Sequence, residues 1–322
     1  MNGTTGTSGT PARTPARTPG TTGPEETGPK ETGLKETGLK ETVGRHGIWS
    51  AGLRAEDAEG RAERADAVAE LEDLGFGAVW LGGSSSTGNA RPLLDATSRI
   101  VVGTSIQSIW QYGPDTTAAA FAELEATHPG RFVLGLGVSH AKLAEQYRRP
   151  YSALVAYLDA LDGAGVPADR RALAALGPRT LELSRDRAAG ALPYLVTPEH
   201  TARARGILGD GPLLAPELKV ILDPDAGRAR ALARDVLALY LALPNYTNNL
   251  LRLGFTEDDL TGGGSDRLVD AVFAWGGESR VRDRIATFHA AGADHVALQV
   301  INEASRQSLP REEWRRLASL LA

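Results

Sequence analysis

From His46 onward, short apolar runs alternate with stretches whose apolar residues recur every three or four positions. The runs read as strands: "HGIWS" (46–50), "AVWLG" (78–82), "RIVVGTSIQSIW" (99–110), the stretch opening "RFVLGLGVSHAKL" (131–143), "RRALAALGP" (170–178), "ALPYLV" (191–196), "LKVIL" (218–222) and "HVALQV" (295–300). The stretches between them read as helices. Residues 61–74 carry Ala65, Val68, Leu71 and Leu74 on one face, and Gly75 ends them. Helix 115–127 takes Asp115 as its N-cap and turns Phe121 and Leu124 inward. Helices follow over 152–162, 179–189 and 199–208, then a long one from 225 to about 253, then 279–291 with Val281, Ile285 and Phe288. Strict alternation implies a parallel sheet with helical crossovers. Eight such units predict a closed (β/α)8 barrel. A doubly wound dinucleotide fold is the rival, but no GxGxxG opens a helix after the first strand.

The first 43 residues differ in kind. "PARTPART" and "KETGLKETGLKET" are tandem repeats in Gly, Thr, Pro and charged residues. They offer too little apolar surface to offset the entropy of ordering, which predicts a disordered tail over 1–43 and one barrel domain over 44–322. The 322 residues are 42% hydrophobic and carry a net charge of −5, with no broad basic block, so nucleic acid is not an expected partner. Cysteine is absent, which excludes disulfides and thiolate chemistry and fits a reducing cytoplasm. No apolar run reaches the roughly 18 residues of a membrane helix. The expectation is a cytoplasmic protein with no membrane contact.

In such a barrel the active site forms at the C-terminal ends of the strands. Those ends supply Trp49 and Ser50, Gly82 to Ser86, Ser105 to Trp110, Gly137 to His140, Leu176 to Thr180, Thr197 to His200, and Gln299. No carboxylate pair stands among them to suggest a glycosidase, no HExxH or His/Asp cluster suggests a metal, and no GxSxG elbow suggests a hydrolase. A mouth rich in Gly, Ser and Thr but poor in acids and bases suits a cofactor that brings its own chemistry. Gly135 and Gly137 would weaken a plain strand and read as sites of close approach by a ligand. "LGPRTLEL" sets a turn against a helix N-terminus, a natural phosphate site.

The stretch "VVGTSIQSIWQYGPDTTAAAFAELEATHPGRFVLGLGVSHA", followed by "ALGPRTLELSRDRAAGALPYLVTPEH", resembles the luciferase-like flavin and deazaflavin oxidoreductases, most of all their coenzyme F420 branch. "LALPNYTNNLLRLGF" and "AGADHVALQV" extend the likeness over roughly residues 44 to 302. The resemblance implies a (β/α)8 TIM barrel of the bacterial luciferase-like type, a homodimer, and hydride transfer between F420 and a small organic substrate.

It implies a non-prolyl cis peptide at Ser105–Ile106 behind the deazaflavin ring, with Ser108 at the ring's polar edge. Gly137, Val138 and Ser139 would lie along the cofactor tail, and Gly177, Pro178, Arg179 and Thr180 would receive its phosphate. Members carry a histidine or acid after strand two; here Gly83 and Ser84 hold those places, with Ser84 left as a cofactor contact. His140 stands where some members have a glutamate after strand four. It is either the general acid or a hydrogen-bond partner of the cofactor. Trp49 and Trp110 fall at strand ends where an aromatic covers a flat ring, and His200 is a substrate contact or a cap-region residue. Lys142, Arg148, Arg149 and Arg179 would form a basic rim for the polyglutamyl tail of F420. Two alternatives remain: an FMN-dependent monooxygenase of the same fold, and a degenerate barrel that binds a ligand or partner without redox turnover.

Overall fold

The computed structural model describes residues 38–54, 57–140, 148–304 and 308–322; most of the expected tail and Lys142 lie outside them. Residues Thr37–Ala322 form one compact unit. Its strands are β1 His46–Ser50, β2 Ala78–Gly82, β3 Val101–Ser105, β4 Gln107–Ser108, β5 Phe132–Gly137 and β6 Arg171–Leu173, then β7 Gly190–Ala191, β8 Leu213–Leu214, β9 Glu217–Ile221, β10 Phe273–Trp275 and β11 Val296–Val300. Every pairing is parallel, in the order β10-β9-β11-β1-β2-β3-β5-β6-β7-β8, with β4 pairing β5.

The ring closes through one run that changes partner. β8 pairs with β7, and beyond Ala215–Pro216 the same chain continues as β9 and pairs with β11. At the junction the Glu217 N–H donates to the Pro193 carbonyl (2.9 Å) and the Ala297 N–H donates to the Pro216 carbonyl (3.0 Å). This is the (β/α)8 TIM barrel expected from the sequence, with β10 added beside β9 as a short extra strand.

Several boundaries differ from the sequence reading, each for a local reason. The fifth predicted strand stops at Leu173, because the chain turns toward the helix Pro178–Arg187. The sixth stops at Ala191, since Pro193 has no N–H to donate and Leu195 adopts φ 54°. The long helix is two, Ala226–Leu241 and Pro244–Arg252, broken where Pro244 cannot bond back. A further helix, Arg311–Leu321, buries Trp314 and Leu317 against the core, and no expectation had been set for it. Leu39–Val43 is also helical, with Val43 fully buried and Lys40 paired to Asp294 at 3.1 Å. The end of the expected tail is thus part of the barrel's floor.

The barrel interior explains the strand glycines. A side chain at Gly103 would meet the Trp80 ring at 2.5 Å, one at Gly47 would meet His295 at 2.7 Å, and one at Gly82 would meet Trp49 at 2.4 Å. A few large rings fill the lumen, and glycines opposite make room for them. Trp80 Nε1–H donates to His295 Nε2 at 2.9 Å, and His295 Nδ1 donates to the Gly44 carbonyl at 2.8 Å. Both ring nitrogens are committed, so the imidazole is neutral.

That neutrality makes the fold sensitive to acid. Burial, helped by the neighbouring His289, lowers the His295 pKa to about 4, and burial beside His289 also lowers His46 to about 4. In the unfolded chain both titrate near 6.5. Between those values the unfolded state binds protons that the folded state refuses. Stability is therefore complete above pH 6.5 and falls as pH drops toward 4. The melting temperature at pH 5 should lie several degrees below that at pH 7, and His295→Gln should flatten the difference. Parallel pH profiles for the two proteins would remove His295 from the account.

Candidate functional site

Two cavities open at the C-terminal mouth of the barrel. The first, about 340 Å³, is walled by Ile106, Val138, Ser139 and His140 on one side and by Leu176, Gly177 and Thr180 on another. Two helices begin at its edge, Pro150–Gly163 and Pro178–Arg187, each with proline in its first turn. Pro150 and Tyr151 line it from the former. Helix N-termini present a partial positive charge and favour an anion. A third helix, Pro244–Arg252, runs alongside and contributes Asn245, Tyr246, Asn248 and Arg252. No carboxylate lines this cavity among the described residues. A side chain at Gly177 would meet nothing within 4 Å, so the backbone there is open to a ligand.

The second cavity, about 410 Å³, lies beside the first, lined by Trp49, Tyr240, Gln299, Ile301 and Trp314 among others. Tyr194, which faces the first cavity, forms the partition. Its hydroxyl donates to Gln299 Oε1 (2.9 Å) and shares a 2.6 Å bond with the Tyr240 hydroxyl. Its ring packs against Trp49, centroids 5.2 Å apart. Beneath it lies a buried ion pair, Lys219 Nζ to both Glu217 oxygens at 3.0 Å, with the ammonium 3.9 Å from the Tyr194 ring centre. Burial pushes Lys219 down and Glu217 up, and their mutual attraction opposes both shifts. Burial raises Tyr194 above its ordinary range and Tyr240 to about 12, so both hydroxyls stay neutral. None of this group except Gln299 and Trp49 was anticipated. A charged residue inside a strand shows only as a break in an apolar run, and "LKVIL" hides Lys219 among hydrophobics.

The structure sorts the residues proposed from sequence. The cis peptide is present at Ser105–Ile106. Ile106, Val138, Ser139, His140, Gly177 and Thr180 meet in the first cavity, and Ser139 takes a left-handed φ of 54° there. Pro178 and Arg179 sit exposed at its lip, with the Arg179 guanidinium 4.2 Å from the Tyr151 ring centre. Gly137 needs correction: a side chain there would meet Ile106 at 3.0 Å and Ala174 at 3.1 Å. One at Gly135 would meet the Thr104 carbonyl at 1.8 Å. Neighbouring protein atoms by themselves crowd a side chain at these two glycines.

Ser108 is buried and occupied, its Oγ accepting from the Trp110 N–H at 3.3 Å. Ser84 instead bonds Gln111 and receives the Ser108 N–H at 3.4 Å. Ser105 Oγ accepts from Trp49 Nε1 at 3.0 Å. Trp110 donates to the Val138 carbonyl at 2.6 Å and braces the cavity from behind. Trp49 lines the second cavity and lies over Gly82, filling the space above strand two that the sequence left bare. His200 is corrected to a structural role. It is 4% exposed, lines neither mouth cavity, and its Nε2 bonds the Leu176 carbonyl at 2.9 Å, holding the turn before Gly177.

Residues 46–164 match the family model described as luciferase-like monooxygenase. That match spans the first half of the barrel. The chain resembles an F420-dependent glucose-6-phosphate dehydrogenase of Microbacterium testaceum, 35% identical over 83 residues, 22% of this chain. That match spans only a quarter (25%) of the relative's length. Among solved structures, the F420-dependent tetrahydromethanopterin reductase of Methanopyrus kandleri has TM-score 0.64 at 18% identity, covering 85% of this chain and 96% of that one. An F420-dependent secondary alcohol dehydrogenase has TM-score 0.61 at 14% identity, covering 80% and 93%. An FMN-bound type II Baeyer–Villiger monooxygenase of Pseudomonas putida has TM-score 0.63 at 13% identity, covering 86% and 97%.

The ion pair under the partition carries a direct test. Removing one partner of a buried pair strands the other charge, at a cost of about 3 to 5 kcal/mol. Lys219→Met should therefore destabilise strongly, and Glu217→Gln added to it should recover much of the loss. Chemical denaturation of the three variants measures this. A double variant no better than Lys219→Met would mean the charges are independent.

Proposed function

We propose that this protein is an oxidoreductase that binds coenzyme F420 in the first cavity and transfers a hydride between it and a small organic substrate. The observation that carries this reading is the cavity's own make-up. Two helix N-termini and open backbone at Gly177 suit a phosphate, while Ile106, Val138 and Leu192 offer an apolar wall to a flat ring. The residues present therefore fit a deazaflavin or flavin phosphate. The bound coenzyme supplies hydride chemistry; the chain holds its phosphate, backs its ring and keeps carboxylates away.

The rim favours F420 over FMN. Arg148, Arg149 and Arg179 are exposed at the starts of the two helices and form no ion pair among the described residues. Exposed arginines suit the polyanionic tail that F420 has and FMN lacks. The FMN reading keeps one point in its favour, an FMN-bound monooxygenase of the same fold.

Titration of the purified protein with each cofactor, followed by absorbance and fluorescence, decides between them. F420 should bind at least tenfold more tightly at low salt. Reversing Arg148 and Arg149 to glutamate should erase that preference at low salt and change little at high salt, because exposed charges are screened. FMN binding with equal or higher affinity would overturn the F420 assignment.

We read His140 as the proton donor. Its ring faces the cavity, Asn245 Nδ2 approaches its Nδ1 at 3.4 Å, and burial lowers its pKa from 6.5. With Asn245 donating to Nδ1 the ring is neutral; the imidazolium, the form that gives up a proton, requires the Asn245 amide turned so that its oxygen accepts from Nδ1. His140→Ala should slow turnover by about 100-fold with little change in cofactor affinity. The wild-type pH–rate limb assigned to His140 should fall below the ordinary histidine range. An unchanged rate with much weaker cofactor binding would make His140 a cofactor contact instead.

A further inference from the structure

Of the three tyrosines gathered at the mouth, one keeps its hydroxyl unbonded. Tyr194 and Tyr240 bond each other, and Tyr194 also bonds Gln299. Tyr246, on the helix Pro244–Arg252, stands with them and is only 8% exposed. Its hydroxyl has no hydrogen-bond partner among the described residues, and the side chain lines the first cavity together with Ser139 and His140. A phenol buried to this degree ordinarily finds a partner for its O–H. Here the cavity lies where that partner would stand. Burial raises the Tyr246 pKa above its ordinary range, so the group keeps its proton and offers a donor at any ordinary pH.

Three rings hold this donor in place. Tyr240 meets it edge-on with centroids 5.3 Å apart, Tyr194 lies at 6.0 Å and His140 at 5.2 Å. The cavity around it favours negative charge: it has Arg252 and two helix N-termini, and no carboxylate among its described lining residues. A hydride that adds to one end of a polarised double bond drives the π pair onto the atom at the other end. Where that atom is oxygen, a donor already fixed beside it stabilises the charge as it develops. Resting on the oxidoreductase reading above, we propose that Tyr246 Oη donates a hydrogen bond to the substrate oxygen on which this charge develops. The new bond to hydrogen takes both electrons of the hydride, the π pair becomes a lone pair on that oxygen, and His140 supplies the proton that neutralises it. Tyr246 keeps its own proton throughout.

The test needs no cofactor. 4-Nitrophenolate, held above its own pKa, is a flat ring bearing a negative oxygen, and its visible band reports binding. The wild type should take it about tenfold more tightly than 4-nitroanisole, the same ring with that oxygen methylated. Tyr246→Phe keeps the aromatic ring and its packing and removes only the donor. It should weaken 4-nitrophenolate by about tenfold, the scale of a hydrogen bond to a charged group, and leave 4-nitroanisole unchanged. Its melting temperature should stay close to that of the wild type, since no bond within the protein is lost. A large drop would mean that the hydroxyl is bonded inside the protein, and would overturn the proposal. So would 4-nitrophenolate binding untouched by Tyr246→Phe, or a preference that survives this substitution but is lost in Arg252→Gln, which would put the anion at the cationic edge. The cofactor titration is separate, and Tyr246→Phe should leave F420 affinity unchanged. A wild type that binds F420 but does not prefer 4-nitrophenolate refutes this inference alone. One with a Tyr246-dependent preference that binds neither cofactor refutes the function above and leaves the hydroxyl as an anion-binding donor.

Discussion

The structure depends on how a narrow barrel is filled. Trp80 lies in the gap of Gly103, His295 in that of Gly47, and Trp49 in that of Gly82. Each pairing puts a large ring opposite a residue with no side chain, so the lumen reaches interior density without forcing the strands apart. Rings with polar nitrogens then need partners, and each finds one: Trp80 with His295, and Trp49 with Ser105. The lower pair ties β2 to the start of β11 and, through the Gly44 carbonyl, to the short N-terminal helix. The upper ring sets the shape of the mouth.

Above that floor, the Glu217–Lys219 pair divides the mouth in two. A lysine ammonium with no exposure must be held by charge and by aromatic faces, and Lys219 has both in Glu217, Tyr194 and Tyr240. The same contacts that satisfy the ammonium fix the two tyrosine rings, and these rings are the wall between the cavities. The partition is one side chain thick. Its position follows from electrostatic necessity below it rather than from hydrophobic packing alone.

The barrel was legible because its signal is periodic and repeated: eight apolar runs, most of them followed by a helical pattern, survive errors of several residues at every boundary. The ends of the fifth and sixth strands were misplaced since the run continues as apolar coil through Ala174 to Leu176 and through Leu192 to Val196. Apolarity marks burial, not strand. The site was legible only in part. Turn chemistry around Gly177 and the Ser105–Ile106 bulge follow from local sequence and family likeness. At Gly135 and Gly137 a glycine records that something comes close, not what it is: Thr104, Ile106 and Ala174 stand there. Lys219, Tyr194, Tyr240 and Tyr246 were missed because they come together only when β7, β9 and two helices from the last third of the chain converge, a relation no local pattern encodes.

The two cavities differ electrostatically, and the fold builds them from different kinds of element. At the first, helix N-termini and arginines with no ion pair among the described residues leave positive charge at a solvent-facing rim. At the second, the buried groups of the wall are paired or kept neutral. Lys219 sits close to the second cavity yet does not charge it, because Glu217 neutralises it and two phenol rings stand between. Burial holds those phenols un-ionised at any ordinary pH. The ion pair that costs the barrel desolvation energy thus has a counterpart at the mouth: it supports a wall that is polar and carries no net charge.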